Sequence, residues 1–264
     1  MKKYLVIGNP IEHSLSPLIH NYWIRKNNIS AIYKKKKLSE EGLESLVNKI
    51  KKKELHGINV TVPFKKSIIP YLDHLSYESK STQSVNTVYL KDNKIIGHNT
   101  DIFGFENSFK NSNLDLTKKK VLILGAGGVV PSIIFALIKM KVSDIIVSNR
   151  TREKAENLKD LFKKIKIINW GEVPNFDIII NATSVGLKQN DEINLNLLNV
   201  GKNKFFYDVI YNPGETNFLK IGKKLGNRTE NGKLMFIYQA FSAFKLWHGI
   251  EPTISEEAIK LLNK

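Results

Sequence analysis

Cysteine is absent from the 264 residues, and arginine is nearly so. Without cysteine the chain has no disulfide framework, no thiolate zinc site, no iron–sulfur cluster and no cysteine nucleophile. No apolar run approaches the roughly 18 residues of a membrane span, and the run within MKKYLVIGNP is far too short for a signal-peptide core. Internal repeats and low-complexity segments are also missing. These absences lead to the expectation of a soluble, cytoplasmic protein. Of 41 Lys+Arg only Arg25, Arg150, Arg152 and Arg228 are arginines, so 37 are lysines, set against 25 Asp+Glu for a net charge of +16. Nucleic-acid readers lean on Arg for bidentate contacts, whereas Lys is a point charge. The lysine runs at 34–37, 51–53, 118–120 and 163–164 are short and scattered. They read as solvated surface, with no nucleic-acid and no membrane partner. What is present is a core: 42 % of residues are hydrophobic and 9 % aromatic.

Strand and helix signals alternate along the whole chain. An apolar run at 4–8 predicts a strand, and further strands are expected at 32–36 and 57–62, the last stopped by Pro63. Ser16-Pro17 predicts a helix to about Lys26, with Ser16 as its N-cap. A second helix is expected over 39–52 and a helical stretch through the seventies. Residues 85–90 and 94–97 flank Lys91-Asp92-Asn93 as a hairpin. After the polar stretch 111–120 a second series begins, with strands at 121–124, 144–148, 166–169, 176–181 and 205–210. A helix is expected over 129–139, and two more close the chain at about 234–248 and 255–262. This alternation predicts two α/β domains meeting near residue 101, the first with a mainly parallel sheet and one antiparallel element.

The strand at 121–124 runs directly into Gly125-Ala126-Gly127-Gly128 and then into a helix, the context that the dinucleotide fingerprint requires. Glycines let the backbone turn and approach a pyrophosphate, and the helix N-terminus supplies free N–H groups. The sixth fingerprint position is Val130 rather than Gly or Ala, and Pro131 is tolerable in the first helical turn. Twenty-four residues past Gly125, where an NAD site carries a carboxylate, stands Asn149-Arg150-Thr151-Arg152. Half of the arginines in four positions, and no acid, point to a 2′-phosphate and so to NADP.

The first half carries clusters of neutral hydrogen bonders. Ser14 and Ser16 bracket a turn able to present two hydroxyls to a carboxylate. Asn59 and Thr61 end a strand with Lys65 just beyond, and Asn86-Thr87 and Asn99-Thr100-Asp101 repeat the pattern. Each cluster alone reads as a cap or turn. Four of them with one Lys and one Asp read as a site for a polyhydroxylated anion at strand carboxyl ends.

In order along nearly the whole chain, these motifs resemble the shikimate dehydrogenase family. The likeness runs through Gly8-Asn9-Pro10-Ile11, His13-Ser14-x-Ser16-Pro17, Asn59-Val60-Thr61-Val62-Pro63-Phe64-Lys65 and Val85-Asn86-Thr87. It continues through Gly97-x-Asn99-Thr100-Asp101, Gly125–Gly128, Asn149-Arg150-Thr151 and Asn181-Ala182-Thr183-Ser184. It closes with Tyr211-Asn212-Pro213-x-x-Thr216, Asn231-Gly232-x-x-Met235 and Gln239-Ala240.

That resemblance implies reversible reduction of 3-dehydroshikimate to shikimate with NADPH, a step of aromatic amino-acid biosynthesis. It implies a substrate-binding domain of residues 1–101, completed by C-terminal helices 234–264, and a Rossmann-like NADP-binding domain of residues 102–233. Lys65 and Asp101 would form the catalytic pair, with Lys65 moving the proton. Ser14, Ser16 and Tyr211 would hold the substrate carboxylate, Thr61, Asn86 and Gln239 would bind its ring hydroxyls, and Asn59 would also belong to the substrate site. The cofactor would lie on Gly125, Ala126, Gly127, Gly128 and Val129 and on Asn149, Arg150, Thr151 and Arg152. Thr183, Val209, Gly232 and Met235 would surround its nicotinamide end. The family's usual small residues after the glycine pair and Gly-Ala before Val-Asn-Thr are here Val129-Val130-Pro131 and Gln83-Ser84.

Three other readings stand beside this one. A quinate/shikimate dehydrogenase with relaxed substrate or NAD use is opposed by the basic cluster. A nonenzymatic binding protein on the same fold predicts erosion of Lys65 or Asp101, and both are present. A metal enzyme lacks ligands, because the six histidines form no spaced cluster. The enzyme is expected as a monomer or homodimer.

Overall fold

The computed structural model describes residues 1–188 and 190–263. The chain divides into two compact units, residues 1–104 with 237–264 and residues 105–236.

The first unit is built on a six-stranded sheet. In chain order it carries β1 (Lys2–Gly8), α1 (Ser16–Lys26), β2 (Ala31–Lys37), α2 (Leu43–Lys51), β3 (Gly57–Val60), β4 (His74–Leu75), α3 (Tyr77–Thr82), β5 (Thr87–Lys91), β6 (Lys94–His98) and the start of α4 (Asp101–Asn111). The strand order is β2-β1-β3-β5-β6-β4. β5 alone runs against the others, being antiparallel to both β3 and β6, so the expected single antiparallel element is there. The turn that reverses the chain is Asp92-Asn93, with φ of 49° and 59°. Two positive φ values in a two-residue loop match the right-handed twist of the strands it joins.

Side-chain alternation sorts the two faces of this sheet. Ile7, Ile58, Val60 and Val88 pack with Leu43, Leu46, Val47 and Ile50 of α2, an i, i+3, i+4, i+7 stripe. The opposite face is aromatic: Tyr4 stacks on Trp247 at 4.9 Å, and His20 of α1 stacks on Tyr33 at 4.3 Å with rings parallel to within 1°.

The second unit carries β7 (Lys120–Leu124), α5 (Val130–Lys139), β8 (Asp144–Ser148), α6 (Arg152–Glu156), α7 (Leu158–Leu161), β9 (Lys166–Ile168), β10 (Ile178–Asn181), β11 (Phe205–Asp208), α8 (Asn217–Lys224) and β12 (Arg228–Asn231). Helix α9 (Lys233–His248) begins here and continues into the first unit, where α10 (Glu256–Lys260) follows. All six strands are parallel, in the order β12-β11-β10-β7-β8-β9. Numbered within the unit this is 6-5-4-1-2-3, the doubly wound dinucleotide-binding order, whose crevice opens between β7 and β10. The central strands β7 and β10 are apolar between their ends because both of their faces are covered.

Several local expectations are corrected. Ser16 is the first residue of α1 rather than its N-cap; the cap position is Leu15, and Ser14 Oγ accepts from Ser16 N at 3.3 Å. The helix expected over 39–52 begins as a 3-10 turn at Glu40–Gly42. The seventies hold a two-residue strand and a helix only from Tyr77, because Pro70 lies in a 3-10 turn and residues 74–75 pair with β6. Val130, the oversized fingerprint residue, is fully buried on the inner face of α5. No helix among the described residues is long and apolar enough to cross a membrane.

His20 is 1 % exposed, and neither ring nitrogen has a hydrogen-bond partner among the described residues. Burial, with His248 nearby, pushes its pKa down to about 3, and burial with Lys2 pushes His248 down to about 4. Both are therefore neutral in the fold and take up protons on unfolding. Their stabilisation is complete above the unfolded pKa near 6.5 and is lost as pH falls below it. Denaturant titration between pH 6.5 and 5.5 should show His20 removing about 1 kcal/mol of stability. A His20→Phe variant should lower that pH dependence; an unchanged slope would refute it.

Candidate active site

The carboxyl edge of the first sheet gathers the polar clusters. Asn59 lies within β3 and Thr61 follows it, residues 99–101 follow β6, and Asn86 directly precedes β5. Because β5 is reversed, its beginning lies at the edge where its neighbours end, which brings Asn86 to the carboxylate that opens α4.

Lys65 sits in the turn after the cis Val62-Pro63 bond. Phe64 and Ile68, both buried in the α2 side of the core, anchor that turn, and the Lys65 carbonyl accepts from Val85 N at 2.8 Å. The side chain meets Asp101 with Nζ 2.5 Å from Oδ2. The two residues are 8 % and 6 % exposed, so this is a buried ion pair with a small opening to solvent. Asp101 is the first residue of α4, where the helix N-terminus favours negative charge, and its N–H donates to Asn99 Oδ1 at 3.1 Å. Its second oxygen accepts from Asn86 Nδ2 at 2.8 Å. Asn86 Oδ1 in turn accepts from Thr100 N at 2.7 Å and from the Thr87 and Thr100 hydroxyls at 3.1 Å each.

Asn59 stands behind this group rather than at its opening. Its Nδ2 donates to the Asn86 carbonyl at 3.1 Å and to Thr87 Oγ1 at 3.0 Å, and its Oδ1 accepts from Tyr33 OH at 2.7 Å. Its oxygen and both amide protons thus have protein partners. Thr61 is half-buried and its hydroxyl has no hydrogen-bond partner among the described residues. Ser14 and Ser16 are joined by the bond already described, and Gln239 lies half-buried on α9. Tyr33 gives no functional signal in the sequence, since a Tyr inside an edge strand with four lysines reads as ordinary packing.

In the second unit, Gly125, Ala126, Gly127, Gly128 and Val129 link β7 to α5. Gly125 has φ of +110°, and a Cβ there would come within 2.8 Å of the Ala182 carbonyl. At Gly127 a Cβ would meet nothing closer than 4.0 Å. Packing within the chain does not demand that second glycine; it leaves open room at the N-terminus of α5. This is the cradle a pyrophosphate needs, and the dinucleotide fits it.

Beyond β8, Asn149 Nδ2 donates to the Thr151 carbonyl at 2.7 Å, and Thr151 takes the N-cap position of α6 without a side-chain cap bond. The two arginines differ. Arg152 is bound to Glu156 at 3.0 Å and to Asn169 at 2.5 Å, whereas Arg150 is exposed with no partner among the described residues. Thr183 is held at its N–H and hydroxyl by Asn181 Oδ1, at 3.1 and 2.7 Å. Val209 and Gly232 lie against each other, Met235 is buried on α9, and the Tyr211 ring stacks on Phe236 at 4.4 Å.

A parallel sheet in this order, with an open glycine loop and an uncommitted arginine after its second strand, defines a dinucleotide-dependent oxidoreductase. The first unit holds a buried Lys–Asp ion pair.

Comparison with known proteins is specific. Residues 6–88 match the family model "Shikimate dehydrogenase substrate binding domain", and residues 107–208 match "Shikimate / quinate 5-dehydrogenase". The chain is 58 % identical over 262 residues to Shikimate dehydrogenase (NADP(+)) of Pelagibacter ubique, covering 99 % of each. Among solved structures, shikimate dehydrogenase from Aquifex aeolicus superposes with TM-score 0.90 at 36 % identity, covering 99 % of this chain and 97 % of that one. Shikimate 5-dehydrogenase from Thermus thermophilus, in complex with NADP(H) and shikimate, gives TM-score 0.90 at 29 % identity, covering 99 % and 100 %. The chain belongs to the shikimate dehydrogenase family.

Replacing Asn59 by Leu removes three buried hydrogen bonds from behind the ion pair, and should cost about 2–4 kcal/mol in denaturant unfolding. A loss below about 0.5 kcal/mol would show that the Asn59 bonds are dispensable.

Proposed function

We propose that this protein is an NADP-dependent shikimate dehydrogenase that reduces the ring ketone of 3-dehydroshikimate to the hydroxyl of shikimate, reversibly, in aromatic amino-acid biosynthesis. The observation that carries this reading is the buried Lys65–Asp101 pair, braced by Asn86 at the carboxyl edge of the first sheet. It is supported by the family and by the NADP(+)-dependent relatives.

Residues 1–101 with 234–264 are assigned to substrate and residues 102–233 to NADP. The bound cofactor supplies the hydride. The chain must then orient the ketone, stabilise the negative charge that develops on its oxygen, and deliver one proton. Lys65 does the last two: its ammonium hydrogen-bonds the oxygen as charge builds there, and its proton completes the alcohol. Asp101 holds the ammonium in place, and Asn86 fixes Asp101. Thr61, with its hydroxyl uncommitted, Asn86 and Gln239 are assigned to ring hydroxyls, and Ser14, Ser16 and Tyr211 to the carboxylate. Asn59 supports these groups from behind and does not itself touch substrate.

For the cofactor, Gly125 through Val129 and the N-terminus of α5 take the pyrophosphate. Arg150 takes the 2′-phosphate, with Asn149 and Thr151 shaping the loop, and Arg152 braces α6 through Glu156. Thr183, Val209, Gly232 and Met235 surround the nicotinamide. An anionic substrate and cofactor suit a chain of net charge +16, whose field attracts both. A cytoplasmic location agrees with a cysteine-free chain.

The test is NADPH consumption with 3-dehydroshikimate, repeated with NADH. The wild type should prefer NADPH, and Arg150→Ala should raise the KM for NADPH by about tenfold or more while leaving NADH almost unaffected. No turnover of 3-dehydroshikimate with either cofactor would refute the function. An equal effect of Arg150→Ala on both cofactors would refute the phosphate assignment.

A further inference from the structure

Asp208 is a buried carboxylate that the proposed chemistry leaves unused. It ends β11, is fully buried, and forms no ion pair among the described residues. Burial of a carboxylate without a cation is costly unless hydrogen bonds offset it. Here they do. Oδ1 accepts from Asn181 Nδ2 at 3.0 Å and from Ile210 N at 2.9 Å, and Oδ2 accepts from Thr216 Oγ1 at 2.6 Å. The donors come from the end of β10, the loop after β11 and the cap of α8. Burial raises the Asp208 pKa to about 6, opposed by the three hydrogen bonds. The acceptor-only carboxylate is the form that suits three converging donors.

Two of the three bonds lead on to residues assigned to the cofactor, and the third ties Asp208 to Thr216 at the cap of α8. Asn181 also fixes Thr183 through its Oδ1, and the loop it fixes lies against the glycine loop: a Cβ on Gly125 would fall 2.8 Å from Ala182 O and 3.2 Å from Thr183 Cγ2. Ile210 bonds through its carbonyl to Gly232 N at 3.1 Å, and a Cβ on Gly232 would lie 2.0 Å from Val209 O. Packing of the apolar strands alone requires none of this, since neighbouring strands already pair in register through Asn181 and Asp208.

We propose that Asp208 is a positioning residue for the dinucleotide, fixing the loops after β10 and β11 so that Thr183, Val209 and Gly232 meet the nicotinamide end in one arrangement. The proposal rests on the NADP reading above. The experiment titrates NADPH onto purified, folded protein and follows fluorescence to obtain Kd for the wild type, Asp208→Ala and Asp208→Asn. Wild type binds; Asp208→Ala binds about tenfold or more weakly; Asp208→Asn recovers part of the loss, because an amide oxygen still accepts from Asn181 and Ile210. At saturating NADPH, the KM for 3-dehydroshikimate changes less than about twofold in both variants. A residue that merely holds the fold together would lower Tm without changing Kd in the folded fraction.

If the wild type binds NADPH and Asp208→Ala binds it equally well, the positioning role is overturned. A wild type that binds no NADPH overturns the cofactor reading itself, and with it this proposal. Where Asp208→Ala does not fold, Thr216→Val and Thr216→Ser replace it. The valine variant should weaken NADPH binding and the serine variant restore it, and equal affinities overturn the proposal.

Discussion

The first unit is organised around one constraint, that an ammonium withdrawn from water needs an anion held at a fixed place. Lys65 and Asp101 are almost fully buried, and an unpaired charge there would cost several kcal/mol. Each partner is therefore secured twice. The Lys65 turn is pinned below by Phe64 and Ile68 and at its carbonyl by Val85. Asp101 is secured by the opening of α4 and by Asn86. Asn86 can reach it only because β5 runs against its neighbours. Tyr33, Asn59, Thr87 and Thr100 then satisfy the groups that this arrangement buries. The result is a cation with fixed geometry and a narrow opening, which is what stabilising a developing oxyanion requires.

The second unit follows the same logic with opposite charge. A carboxylate, Asp208, is buried among three donors, and loops rather than a counter-ion are what it holds. In this unit Arg150, set beyond β8, is the exposed arginine without a partner among the described residues. Most of the lysine excess lies on exposed faces. On the edge strand β2, four consecutive exposed lysines blunt a row of open backbone groups against pairing with other chains.

Much of this is legible in the sequence, for physical reasons that differ between elements. The inner strands of the second unit are covered on both faces, so they appear as unbroken apolar runs, and Asp144–Ser148 is legible to the residue. The hairpin shows through Asp92-Asn93, residues that tolerate positive φ. By contrast β12, with the sequence Arg-Thr-Glu-Asn, is an edge strand whose place comes from pairing with β11 and not from its own pattern. The seventies have a helical composition that pairing of residues 74–75 with β6 overrides. Ser16 looks like a cap because Pro follows it, but the chain turns one residue earlier. The residues of the site are visible by type, while their division of labour is not. Asn59 and Thr61 look alike in a linear pattern, yet one has every polar group engaged and the other has an uncommitted hydroxyl. Arg150 and Arg152 look equivalent until Glu156 and Asn169 take one of them. Asp208 gives no signal beyond an acid at the end of an apolar run. Hydrogen bonds between distant segments settle such questions, and no spacing rule encodes them.

The central claim is that Lys65 handles the proton at the reacting oxygen. Lys65→Ala leaves Asp101 held only by Asn86 and the helix N-terminus, so it should lose several kcal/mol of stability, and the kinetics are read on the folded fraction. The decisive measurement is steady-state reduction of 3-dehydroshikimate by folded Lys65→Ala at saturating NADPH. The account predicts kcat lower by about 10²–10⁴-fold with a modest change in KM. Near-normal kcat in that variant would contradict it.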